Sequence, residues 1–193
     1  MPRLFIGSFL TGPEQIRLSN FLARLVPFWP DRVRLQPAEK LHITWLFLGD
    51  VAEEKVQEIK DRLIALAPQL QGEEISCLYQ KVECWPDQAN ARVVVLTPED
   101  SPQTRRILAL GEMLRESLAG YCQKQTEYIF RPHLTIIRLK PHSDLGDNFW
   151  QAIKKYDQIA PVKHNISKIE LVQSHLGQGS SYQSCFAIEK DSA

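Results

Sequence analysis

The sequence predicts an α+β fold built on antiparallel sheet, and three observations carry that prediction. Strand-like apolar runs are interleaved with segments whose apolar residues recur every three or four positions. Some neighbouring strand-like runs are separated only by tight turns, which can join antiparallel strands but not parallel ones. The order helix, strand bearing His-x-Thr, helix occurs in both halves of the chain, which suggests two similar lobes packed face to face. No linker-like stretch divides the halves, so residues 1–193 are expected to form a single domain of two intertwined lobes.

The elements follow in order. The run "RLFIGSF" at 3–9 reads as a strand, and Pro13 with Glu14 behind it opens a helix that turns Leu18, Phe21, Leu22 and Leu25 inward until Pro27 and Pro30 stop it. "LHITWLFLG" at 41–49 is a strand, followed by an amphipathic helix with Val56, Ile59, Leu63 and Leu66 on one side and acidic residues in its first turn. "ISCLYQKVECW" and "ARVVVLTP" are two strands joined by the turn "PDQAN". Ser101 and Pro102 read as N-cap and first helical residue of a helix presenting Ile107, Leu110, Leu114 and Leu118. "HLTIIRLK" is another strand. A helix in "SDLGDNFWQAIKKY" then places Leu145, Phe149 and Ile153 together, although Gly146 weakens it. The end reads as two strands around a Gly/Ser-rich turn, with no helix behind its glycines to make a phosphate cradle.

Composition narrows the function. In 193 residues, 44% hydrophobic and 24% charged, a folded globular domain is the expectation. Lys and Arg together number 23, and so do Asp and Glu, which leaves no global basic field for tight non-specific binding to long nucleic acid. The opening "MPRLFIGSFLTGPEQ" lacks a secretory pattern and no stretch approaches a membrane span, so cytoplasmic residence without a membrane partner is expected. Cys77, Cys84, Cys122 and Cys185 show neither paired CxxC spacing nor disulfide density, and are expected to be free thiols, mostly buried.

The two His-x-Thr strands hold the chemistry. Side chains alternate along a strand, so His42 and Thr44 share one face, as do His133 and Thr135, while Leu41, Ile43, Trp45 and Phe47 form the core-facing set of the first strand. With five His and six Thr in the chain, about 0.16 His-x-Thr matches are expected by chance, so two inside strands stand out. Near neutral pH one imidazole can accept a proton while the other donates one, and threonine hydroxyls can hydrogen-bond an anionic oxygen without adding a titrating charge. Two bases and two hydroxyls around one centre suit in-line displacement at phosphorus. A metal site is the rival, but two distant histidines with no Cys or carboxylate in ligand spacing fall short of the usual ligand set.

On "LHITWLFLGDV", "FRPHLTIIRLK" and the opening "RLFIGSF", the chain resembles the 2H phosphoesterase superfamily, specifically the RNA 2′,3′-cyclic phosphodiesterases also described as 2′-5′ RNA ligases. The resemblance covers essentially the whole chain. It implies a bilobal pseudo-symmetric fold in which two mainly antiparallel sheets face a central groove with helices outside. It implies His42 as the general acid and His133 as the general base, with Thr44 and Thr135 on the phosphoryl oxygens and no metal or organic cofactor. The implied partners are RNA ends or small nucleotides carrying a 2′,3′-cyclic phosphate; the sequence itself shows no sign of an obligate protein partner, and a monomer is expected.

Arg138 is where the family often carries a phosphate-binding Arg, yet strict alternation puts it on the face opposite His133 unless a bulge turns it inward. Phe5, Trp45 and Tyr182 are candidates for stacking on a base, Trp45 the weakest of them because it shares the core-facing side. Ile137, where a small residue is usual, and Trp45, where Leu is common, depart from the family pattern and bear on groove shape. The competing functions are a phosphodiesterase for another cyclic or 2′,5′-linked nucleotide, a non-catalytic nucleotide-binding module, and a plain interaction domain.

Overall fold

The computed structural model describes residues 1–25, 33–122, 129–140, 146–154, 161–175 and 181–191. Nine strands are described: β1 (Arg3–Phe9), β2 (Val33–Leu35), β3 (His42–Asp50), β4 (Ser76–Trp85), β5 (Val93–Pro98), β6 (Leu134–Leu139), β7 (Val162–Asn165), β8 (Lys168–His175) and β9 (Ser181–Glu189). The helices are α1 (Gly12–Leu25), α2 (Val56–Leu66), α3 (Pro102–Leu118) and α4 (Gly146–Lys154). A four-stranded sheet has the order β3-β1-β8-β9 and a five-stranded sheet the order β2-β6-β5-β4-β7, with every pairing antiparallel. The α+β expectation and its antiparallel sheets are met.

The helices form where their signals stood. Ser101 accepts from the Thr104 N–H at 3.0 Å, capping α3, whose Ile107, Leu110, Leu114 and Leu118 are buried. In α2, Ile59 and Leu63 are buried while Val56 and Leu66 pack at the core's edge, each fully buried side chain contributing roughly 1.5–3 kcal/mol. Leu18 and Leu22 of α1 and Phe149 of α4 are buried as expected. The stops at Pro27 and Pro30, the start of the last helix with Leu145, the Gly/Ser turn, and the side chains of Phe21, Leu25 and Ile153 lie outside the described residues. Strands β2 and β7 were not expected. They are three and four residues long and form only because β6 and β4 offer edges to pair with. The four cysteines are free, but only Cys77 is buried.

The core lies between the sheets and the helices, and α3 packs against both β3 and β4. Trp45 is fully buried there and its Nε1–H donates to Ser8 Oγ at 2.8 Å. Ser8 in turn donates to the Lys168 carbonyl at 2.6 Å, tying β3, β1 and β8 together. The Trp45 ring also stacks on Phe130 at 5.3 Å, three residues before His133. Gly111 of α3 makes room for Phe130: a Cβ there would stand 2.3 Å from the ring. The two His-x-Thr segments are therefore joined through one buried aromatic pair.

Candidate active site

His42 opens β3 and His133 immediately precedes β6, and these two strands, from different sheets, approach each other. Each imidazole is held the same way. His42 Nδ1 lies 2.6 Å from the Lys40 carbonyl and His133 Nδ1 2.7 Å from the Arg131 carbonyl. A carbonyl only accepts, so both Nδ1 atoms carry hydrogen and in the neutral rings Nε2 is left as the basic atom. Arg131, whose direction was open, contributes its backbone to this grip.

Both strands then break their alternation at the same place. Gly7 pairs with Thr44 and Ile6 with Leu46, so Trp45 is an extra residue in β3. Val95 pairs with Thr135 and Val94 with Ile137, so Ile136 is an extra residue in β6. Trp45 with Leu46, and Ile136 with Ile137, all enter the core. Alternation resumes one residue out of step, and the side chains five positions after each histidine return to the threonine face. They are Arg138, exposed, and Phe47, 60% exposed. Strict alternation thus misplaces both. Arg138 does face the groove, and Phe47 is not core-facing as the sequence pattern had it; Trp45 is.

Electrostatics place the groups in one region. The Arg138 guanidinium pushes protons off both imidazoles, and His133 acts on His42 in the same sense. For each ring burial is the larger cause: it lowers His42 to about 4, against the Lys40 carbonyl, which favours the charged form. His133 is also lowered, first by burial, while the Arg131 carbonyl and the Glu83 carboxylate pull the other way. Thr44 is buried and Thr135 half-buried.

The surroundings of the two rings differ. His42 is ringed by Phe5, Phe9 and Tyr182 at centroid distances of 5.2, 5.1 and 5.3 Å, and Phe47 extends the cluster, 6.1 Å from Phe5. Phe5 and Tyr182 were singled out by sequence; Phe9 and Phe47 were missed. His133 has instead the Trp85 ring at 4.6 Å, also missed, at the far end of β4. Behind His42, the fully buried His164 donates from Nε2 to the Phe9 carbonyl at 3.1 Å, and burial holds its own imidazole down to about 4. The matched i+5 positions were readable as a spacing; the bulges that give the spacing meaning were not.

Among the described residues no helix is long and apolar enough to cross a membrane. The family model for the 2′-5′ RNA ligase superfamily matches residues 18–178. The RNA 2′,3′-cyclic phosphodiesterase of Archaeoglobus fulgidus is 34% identical over 146 residues, 75% of this chain and 76% of that one. The enzyme of the same name from Escherichia coli is 31% identical over 136 residues, 70% of this chain and 71% of that one. The crystal structure of Escherichia coli LigT complexed with 3′-AMP superposes with a TM-score of 0.72 at 22% identity, covering 99% of each chain. By sequence match and by fold, the chain belongs to the 2′-5′ RNA ligase superfamily.

Proposed function

We propose that this protein hydrolyses 2′,3′-cyclic phosphate ends of RNA or nucleotides to 2′-phosphates, by metal-independent acid–base catalysis with His42 and His133. The observation that carries the reading is the matched pair of imidazoles, each pinned through Nδ1 to the carbonyl two residues before it and both under the charge of Arg138. The names of the related proteins support the substrate.

In the reaction, one Nε2 removes a proton from water as the water oxygen bonds to phosphorus. The bond from phosphorus to the 3′ oxygen breaks, and that oxygen takes a proton from the other Nε2. Thr44 and Thr135 hydroxyls and the Arg138 guanidinium hold the non-bridging oxygens, where charge accumulates. The aromatic cluster of Phe5, Phe47 and Tyr182 offers ring faces to the base. With a 5′ hydroxyl in place of water the same steps, each histidine keeping its role, give a 2′-5′ linkage; the reverse of that step, with the roles exchanged, returns the cyclic phosphate and the 5′ hydroxyl.

The test is chelator-treated protein with an RNA oligomer ending in a 2′,3′-cyclic phosphate, the product terminus identified. Formation of a 2′-phosphate, lost in both His42→Ala and His133→Ala, is expected. A 3′-phosphate product, loss of turnover on chelation, or no turnover at all would overturn the reading and turn attention to other cyclic or 2′,5′-linked nucleotides, or to a binding role.

A further inference from the structure

Val33 and Leu35 of β2 pack against the core, and Arg34 between them is exposed on the other face. It pairs directly with Arg138 of β6, whose side chain faces the groove. The two arginines therefore leave neighbouring strands on the same side, their Cβ atoms about 4.5–5.5 Å apart. β2 is the edge strand of its sheet, and the Gln36 N–H, donated to the carbonyl of the extra residue Ile136 at 2.9 Å, holds it in this register. Like charges directly opposite one another on paired strands destabilise a sheet. Among the described residues nothing relieves this pair: neither guanidinium has a hydrogen-bond or ion-pair partner. Glu83, which shares the face through Val95 and Thr135, gives its two oxygens to the Trp85 indole and the Thr97 hydroxyl at 2.8 Å each. An anion from outside the protein is what the two arginines lack.

The pairing also sets the order of the groups. Across β4, β5, β6 and β2 runs the row Trp85, Val93, Arg138, Arg34. Trp85, at one end, lies against His133; Arg34 is at the other end, with Arg138 between them. Arg138 is also the cation whose charge reaches both imidazoles, and Arg34 is not among the charges acting on either. A phosphate seated at the histidines thus falls to Arg138. Arg34 stands one strand, about 4.8 Å, farther out. That step is of the same order as the roughly 3.4 Å axial rise per phosphate of a nucleic-acid strand. We propose that Arg34 is a second phosphate site: it binds the phosphodiester on the 5′ side of the terminal nucleotide while Arg138 holds the reacting cyclic phosphate, so the pair selects RNA ends over single nucleosides. This rests on the cyclic-phosphodiesterase reading above and chooses between the two substrate classes which that reading leaves open. A guanidinium suits the task because its planar fork meets two phosphate oxygens at once. The balanced total charge, 23 against 23, with an unpaired cation pair at the groove, fits capture of a strand by its end and not along its length.

The test uses three substrates with the same terminal 2′,3′-cyclic phosphate: the nucleoside alone, the nucleoside with a 5′-monophosphate, and a dinucleotide with a free 5′ hydroxyl. kcat/KM is measured for each over a range of salt in the wild type, Arg34→Gln and Arg34→Lys. The wild type should prefer the dinucleotide to the nucleoside, and that ratio should fall by about tenfold in Arg34→Gln and recover in part in Arg34→Lys. The logarithmic salt slope for the dinucleotide should become shallower by about 0.7 in Arg34→Gln, the loss of one phosphate contact to a single strand. An unmoved ratio overturns the proposal. An equal loss on all three substrates puts Arg34 on the reacting phosphate and overturns it too, as does a loss on the 5′-monophosphate without one on the dinucleotide. Equilibrium binding of the corresponding 2′-phosphate products repeats the comparison without turnover. The same Arg34-dependent preference there supports the site even if no cyclic phosphate is hydrolysed, which would sink the functional reading alone; its absence overturns the site.

Discussion

His42 and His133 begin segments with the same backbone device: a Nδ1–H donated two residues back, a threonine two residues on, an extra residue after it, and a side chain at the fifth position returned to the groove. That side chain is Phe47 on one side and Arg138 on the other. The rings beside the histidines differ likewise, three aromatics around His42 against Trp85 with its clamped Glu83 beside His133. Under the proposed function, the symmetric backbone would seat the reacting phosphate between the two strands, and the asymmetric side chains would sort the two ends of a nucleotide, aromatic faces for the base and guanidinium for the phosphate.

The sharpest way to break the comparison is to remove either imidazole. His42→Ala and His133→Ala should each reduce kcat by about 10²–10⁴-fold in a steady-state assay on a cyclic-phosphate substrate, while the fold persists by circular dichroism. If only one variant loses activity, the two strands are not equivalent partners in proton transfer. Next in size, Arg138→Gln should lower kcat/KM by roughly 10²-fold, the effect of losing one strong donor to developing charge, and Arg138→Lys should recover part of it.

Phe47→Ala probes the other fifth position. If its ring carries the base, KM should rise by about tenfold or more with kcat largely spared, since a stacked base is worth about 1–3 kcal/mol. Equal effects of Phe47→Ala and Arg138→Gln on kcat would erase the division of labour between the strands.

Two stability measurements sharpen the β3 side and then the joint between strands. His164, behind Phe9, is held neutral in the fold down to about pH 4, whereas an unfolded imidazole protonates near 6.5. Its contribution is therefore fully present above about pH 6.5 and is lost as the pH falls toward 4, by roughly 3 kcal/mol. His42, lowered in the same way, adds a slope of the same sign. Thermal unfolding in that pH window should flatten visibly in His164→Phe; an unchanged slope would mean that His164 is not held neutral. Finally, Gly111→Ala should destabilise by about 1–3 kcal/mol despite its better helix propensity, because the Cβ drives into Phe130. Since Phe130 stacks on Trp45, chemical shifts near both histidines should move together.

Much of this was legible in the sequence. The period-two runs gave β1, β3, β4, β5, β6 and the final pair of strands, and Ser101-Pro102 gave the start of α3. The twin His-x-Thr motifs pointed to the right faces because the alternation still holds over the two residues from His to Thr. It fails immediately afterwards, and "TWLF" and "TIIR" carry no local mark of the extra residue: a pair of adjacent apolar side chains reads equally as core on both sides of a flat strand.

What the sequence determined by itself is local: alternation, helix caps, and the residue types able to exchange a proton near neutral pH. What tertiary structure decided is everything that depends on a neighbour. The bulges exist only relative to the pairing of β3 with β1 and of β6 with β5, so Phe47 and Arg138 change face through contacts made far away in sequence. β3, which His42 opens, and β6, which follows His133, come together because the chain assigns them to different sheets that approach one another. Arg34 stands opposite Arg138 only because the three-residue β2 pairs with β6. Hydrogen-bond register and electrostatics between segments are properties of distances in space, and a one-dimensional pattern holds no distances.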